Sequence, residues 1–177
     1  LSSVPVGVEK ESLAIRTLNL SKYLFHVVTA MEFDALKTFG LMFITQLKRK
    51  LNKNLYLFDA EKAYKDLSSS VTYCDSGFGK HFKVFYDKIM EMYDTFEKGG
   101  FDASALNSYG NYVCVIAGLD KFKLLMGSEF TSLFSDLLIK IKAMPKVNFV
   151  VLDSVDNIKK SEYDSWYKVA VNSTRGI

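Results

Sequence analysis

Hydrophobic positions along the chain follow two rhythms. Near the start they alternate with polar ones: Val4, Val6 and Val8, then Leu13, Ile15 and Thr17 beyond the polar stretch Glu9-Lys10-Glu11-Ser12. Successive side chains of a strand point to opposite faces, so this spacing predicts a β-hairpin. Further on, the apolar residues come in short unbroken runs. These are Tyr23 to Val28, Leu55 to Phe58 closed by Asp59, a weaker Val71 to Cys74, Tyr112 to Ala117, and Asn148 to Leu152. Runs of this length and density fit strands buried on both faces.

Between the runs the period lengthens to that of a helix. Leu36, Phe39, Phe43 and Leu47 share one stripe, behind Asp34 as an N-cap and ahead of Lys48-Arg49-Lys50, where the helix dissolves. The strongest pattern runs from about Lys80 to Lys98, with Phe82, Phe85, Ile89, Met92, Tyr93 and Phe96 aligned and Gly99-Gly100 as the stop. Ser128 caps a third helix carrying Phe130, Leu133, Phe134, Leu137, Leu138 and Ile141, ended before Pro145. Tyr163, Trp166, Tyr167 and Ala170 mark a short last one. Buried strands alternating with helices predict an α/β fold: a doubly wound, mainly parallel sheet with helices on both faces and an N-terminal hairpin appended. No repeat or linker divides it, so residues 1–177 read as a single domain.

Composition narrows the function classes. With 177 residues, 49% of them hydrophobic, the chain can bury a full core and is no disordered segment. The net charge of +3 is spread over scattered lysines such as Lys121, Lys123, Lys140, Lys142 and Lys159-Lys160. That pattern reads as solvated faces, and no nucleic-acid partner is expected. Cys74 and Cys114 lie in apolar strand runs and are expected as buried free thiols of a reducing compartment. No apolar run has the length to cross a bilayer. The Asn172-Ser173-Thr174 sequon would matter only in a secreted protein. Starting at Leu1 and ending after a loop at Ile177, the sequence reads as a piece of a longer polypeptide.

Candidate chemistry belongs beyond the C-terminal ends of parallel strands. After the first buried strand a phosphate-binding P-loop would place GxxxxGK[ST], glycines curling backbone N–H groups around phosphate and Lys reaching its outer oxygens. The chain offers Thr29-Ala30-Met31-Glu32-Phe33-Asp34-Ala35-Leu36-Lys37-Thr38. With Ala30 and Ala35 at the glycine positions, Leu36 replaces the Lys. One residue later Lys37-Thr38 fit, but Met31 and Leu36 replace the glycines. Glu32 and Asp34 would face a triphosphate with like charge. A Walker B strand should end in an acid holding Mg²⁺, and here Ala117 and Gly118 stand there, with Asp120 too late and better suited to cap the next segment. Asp59, Asp120 and Asp153 each follow a strand, where Asp commonly starts turns, so an acidic metal cluster is a minor alternative. Two separated histidines, His26 in a strand and His81 at a helix start, exclude the common zinc sets.

The lead-in Val4-Pro5-Val6-Gly7-Val8-Glu9, the His26-bearing strand, the Leu55–Asp59 strand, the strand Val113 to Asp120 and the tail Val151-Leu152-Asp153-Ser154-Val155-Asp156-Asn157 together resemble the repeated FtsK/SpoIIIE-type ATPase domains of EssC-like type VII secretion motors. The likeness spans nearly the whole chain. It departs at the Walker A and Walker B positions, which suits the last, degenerate cytosolic domain of such motors. The resemblance implies a P-loop NTPase-like (RecA-like) fold and a parent protein anchored in the bacterial plasma membrane, with this domain on its cytosolic face. It implies neighbouring ATPase domains using ATP and Mg²⁺, and exported WXG100-type or other effector proteins as partners. For this domain it implies no cofactor and no catalytic residue. Its expected role is recognition or regulation, with an active NTPase or a purely structural, oligomerising domain as alternatives.

Overall fold

Ser3–Val8 (β1) and Ile15–Asn19 (β2) pair antiparallel, from Ser3 opposite Asn19 to Val8 opposite Ile15, with an irregular step between Pro5 and Gly7. The predicted hairpin is present. Its turn residues Glu9, Lys10 and Glu11, and Leu13 of the predicted second arm, lie outside the described residues. The computed structural model describes residues 3–8, 12, 15–51, 54–128 and 130–172.

Five strands form the main sheet: Phe25–Ala30 (β3), Leu55–Asp59 (β4), Thr72–Cys74 (β5), Tyr112–Ala117 (β6) and Val147–Ser154 (β7). Their order is β3-β7-β6-β4-β5, and every pairing is parallel. Helices Phe33–Leu51 (α1), Phe78–Lys98 (α2), Leu119–Met126 (α3), Phe130–Ile141 (α4), Val155–Ser161 (α5) and Ser165–Val171 (α6) complete the domain. The chain leaves β3 through α1 and lands three positions away at β4, leaving room for two strands between them. It later returns to fill the gap with β6 and β7. Such a reversal opens a crevice at the strand tips, where open α/β sheets bind ligands.

The apolar runs are buried on both faces because alternate residues enter two separate cores. Tyr56, Phe58, Cys114, Ile116, Phe149 and Val151 pack with α2, α3, α4, Ile158 of α5 and α6. Leu55, Leu57, Val113, Val115, Val150 and Leu152 pack with α1, the hairpin and the segment after β4. The first core is strongly aromatic: Phe82 lies 5.8 Å from Phe58 and 5.9 Å from Phe134, both in edge-on contact. Such pairs add about 0.5–1.5 kcal/mol beyond area burial. The hairpin joins the second core through Val4 and the segment after it through Leu20, each 1% exposed. Asn148 ties the segment after the hairpin down, its Nδ2 donating to the carbonyls of Leu20 at 2.6 Å and Tyr23 at 2.7 Å.

Several boundaries differ from the sequence reading. Helix α1 starts at Phe33, with Leu36 N donating to Glu32 O at 3.2 Å, so Asp34 sits inside the first turn and is not the cap. It also runs through Lys48-Arg49-Lys50 to the buried Leu51; cations in a last turn complement the helix dipole and do not end it. Helices α3 and α5 were not expected, each being short and carrying only two buried residues. Tyr163 is not part of the last helix; it is 89% exposed between α5 and α6, while Trp166 is fully buried. Both cysteines are buried and free. Among the described residues no helix is long and apolar enough to cross a membrane.

Candidate functional site

A cleft of about 240 Å³ lies at the tips of β3, β6 and β7. Ala30, Met31, Phe33 and Leu36 line it from β3 and α1, Glu61, Ala63 and Tyr64 from the segment after β4, Ala117 and Gly118 from β6, and Leu152, Asp153, Ser154 and Asn157 from β7 and α5. It therefore occupies the crevice that the strand order creates.

Four of the residues singled out at the P-loop position, Ala30, Met31, Phe33 and Leu36, meet here in a form no loop-based reading foresaw. Ala30 is still strand, paired with Ser154. Phe33 is already helix, so only Met31 and Glu32 connect β3 to α1. Phe33, Asp34, Ala35, Leu36 and Lys37 all lie within the first turns of α1. Neither Met31 nor Glu32 has the positive φ that folds consecutive N–H groups into an anion nest. Leu36, at the lysine position of one register, is 6% exposed and part of the core on the α1 face. Lys37, the alternative, is exposed on α1.

At the Walker B position Ala117 is buried beneath the cleft at 3% exposure. Gly118 adopts a left-handed backbone (φ 77°) as the N-cap of α3, and a Cβ there would come within 2.7 Å of Glu61 Cγ. Only glycine meets both demands. Asp120 falls in the first turn of α3, and its carboxylate accepts from Lys160 Nζ at 3.0 Å.

The three aspartates that follow the apolar runs each have partners. Asp59 is fully buried and accepts from Ala63 N at 3.1 Å, Tyr64 N at 2.8 Å and Tyr73 Oη at 3.0 Å. Burial, with the Asp59 charge behind it, pushes the Tyr64 phenol above its ordinary range. Asp153 accepts from Ser154 N at 2.7 Å, Asn157 Nδ2 at 2.9 Å and Asp120 N at 3.2 Å. Asp153 and Asp120 are thus brought together, but Asp59 turns into the segment after β4. Among the described residues no group of three His, Cys, Asp or Glu is placed to hold a metal.

No protein-family model and no curated protein matches the sequence. Solved structures do. The chain is similar to the cytoplasmic domain of EssC (TM-score 0.74, 10% identity), covering 95% of this chain and 34% of that one. It is similar to EssC ATPases 2 and 3 from Geobacillus thermodenitrificans (TM-score 0.68, 10% identity), with 95% and 32% covered. It is also similar to Thermomonospora curvata EccC ATPases 2 and 3 in complex with a signal sequence peptide (TM-score 0.62, 10% identity), with 97% and 32% covered. The fold is that of the EssC and EccC ATPase domains. The chain spans about a third of the length of these solved chains.

Against that ATPase fold, the residues that sequence reasoning missed are those completing the cleft: Glu61, Ala63, Tyr64, Leu152, Ser154 and Asn157. A partial signal was available, since Glu61 and Ser154 follow strand-ending aspartates at the expected end of the sheet. Tyr64 had none. It reaches the cleft because Asp59 holds its backbone amide.

Proposed function

We propose that this domain is a pseudo-ATPase module of a bacterial type VII secretion motor, acting in substrate recognition or regulation of export at the cytosolic face of the plasma membrane. The observation that carries the reading is the two-residue connection Met31-Glu32 between β3 and α1. A phosphate-binding loop needs several residues outside regular structure so that successive N–H groups converge. The acids Glu32 and Asp34 and the alanine at the tip of β6 add to that reading. The cleft offers neither a phosphate cradle nor a strand-tip carboxylate facing it from the Mg²⁺ position. Neighbouring ATPase domains of the parent chain would then supply ATP turnover, and exported effectors of the WXG100 type would be the polypeptides recognised.

The test is a titration with Mg²⁺ and a fluorescent ATP analogue, alongside a phosphate-release assay. No saturable binding is expected up to ~1 mM, the upper end of ordinary enzyme KM values. Micromolar binding with turnover would return the domain to the working ATPases.

A further inference from the structure

We infer that the outer edge of β3 is a self-association surface, where a second copy of this chain pairs its own β3 antiparallel across a two-fold axis at Val27. The pairing does not depend on what occupies the cleft.

The main sheet ends in β3 on one side and β5 on the other. β5 has only three residues, a short edge that offers a partner little to pair with. β3 has six, Phe25 to Ala30, with no Lys, Arg, Asp, Glu or Pro and an unbroken register against β7. Short length, charges, prolines and bulges are the usual devices that keep sheet edges apart, and β3 carries none of them. Phe149 N donates to Leu24 O at 2.8 Å. In a parallel ladder alternate residues turn both backbone groups toward the same neighbour. Leu24, His26, Val28 and Ala30 therefore face β7, while the N–H and C=O groups of Phe25, Val27 and Thr29 point away from the sheet. Among the described residues no hydrogen bond reaches these outward groups, and no strand pairs with them. Val27 is half-buried and Thr29 exposed, so the edge is open to approach.

This edge complements itself. Antiparallel pairing about the dyad sets Val27 opposite its own copy and Phe25 opposite Thr29 of the second copy. Every outward N–H and C=O of both strands then has a partner, whereas a shift of one residue would oppose outward groups with groups already bonded to β7. The same register sets Tyr23, 37% exposed, opposite Met31, 87% exposed, a thioether–aromatic match for two apolar side chains otherwise left in water. Just outside the strand ends it sets Lys22 against Glu32. Both are exposed, and neither has an ion-pair partner among the described residues; Lys22 Nζ lies only over the Tyr23 ring, at 5.2 Å from its centre. The basic start of one β3 thus meets the acidic end, Glu32 and Asp34, of the other, and two-fold symmetry makes each contact twice. Side-by-side parallel pairing would oppose like charges instead.

The test is sedimentation equilibrium of the chain at low salt over a ~100-fold range of loading concentration, where a reversible monomer–dimer equilibrium is expected. Thr29→Pro removes one outward N–H and no bond to β7, a change that sheet edges tolerate, and should abolish the dimer while near-ultraviolet circular dichroism is retained. Lys22→Glu and Glu32→Lys should each weaken self-association about tenfold, because symmetry counts a modest surface pair twice. Mixed in equal amounts, these two variants should associate as tightly as the unaltered chain, since each opposes the other's reversed charge at both contacts. A monomer at every concentration, a dimer that survives Thr29→Pro, or a mixture no tighter than its separate components would overturn the proposal. If Thr29→Pro fails to fold, the mixing experiment decides alone, as both of its substitutions lie at exposed positions.

Discussion

Tyr64 lies so close to Gly40 of α1 that a methyl group added at Gly40 would come within 2.2 Å of the phenol oxygen and 2.6 Å of its ring. The same phenol donates to the carbonyl of Leu36 at 3.3 Å. A glycine in mid-helix ordinarily costs about 1 kcal/mol relative to alanine. Here it lets the wall of the cleft seat against the helix. Gly40→Ala is therefore expected to destabilise by about 1–3 kcal/mol despite its better helix propensity, because overpacking wins. Urea denaturation would read the shift in midpoint. A stabilised variant would show that Tyr64 swings aside freely, and the cleft wall would then not be fixed.

The link between α3 and α6 runs through Asp164. Its carboxylate accepts from Lys123 Nζ and, at 3.2 Å, from the indole Nε1 of Trp166. Trp166 is fully buried and is the only tryptophan in the sequence, so tryptophan emission reports on its surroundings, the Asp164 contact among them. Asp164→Ala leaves the indole N–H without its acceptor, which costs about 1–3 kcal/mol. The expected result is a lowered urea midpoint together with a changed native emission. An unchanged midpoint would mean that Lys123 and Trp166 find other partners at once.

Alkali should loosen the fold. Burial, then the neighbouring Asp75 charge, pushes the Cys74 thiol from 9.0 up to about 11. Burial first, and next the hydrogen bond to Asp59, raises the Tyr73 phenol above its usual range. In both cases the folded state holds its proton more tightly than the unfolded chain. The stabilisation is complete below the unfolded pKa and is lost as pH rises toward the folded one. For Cys74 that window is pH 9.0 to about 11. Stability measured across it should fall, and Cys74→Ala should flatten the slope. A thiol reagent at pH 8 should modify Cys74 and Cys114 only as fast as the chain opens.

The frame was legible in the sequence because each buried strand is a dense apolar run and each long helix has a stripe. Phe82, Phe85 and Ile89 can only be a helix face. What stayed illegible has a physical reason. Helix α3 contributes only Leu119 and Phe122 to the core, while Leu124 and Leu125 are 78% and 54% exposed, so no stripe exists to be read. At the site, the absence of glycines and of the lysine was visible. The shortness of the connection was not, because Phe33 and Asp34 read as loop beside an expected cap at Asp34. Nor was Tyr64, which is brought to the cleft by a carboxylate five residues earlier in the chain.

That shortness yields the sharpest prediction about the site. If the Walker residues alone were missing, Leu36→Lys with Ala117→Asp would restore a lysine and a metal-holding acid. The geometry argues that it cannot. Leu36 is packed into the α1 core and Ala117 is 3% exposed, so both replacements bury charge where no ligand oxygen or nest of N–H groups waits to meet it. The double variant is expected to lose several kcal/mol of stability, the scale of an uncompensated buried charge, and to gain no response to Mg·ATP. Lengthening Met31-Glu32 into a glycine-rich loop in addition should be the minimum that creates any nucleotide signal. Calorimetry on the double variant decides the matter: measurable Mg·ATP binding without the longer loop would mean that the length of the Met31-Glu32 connection does not limit nucleotide binding here.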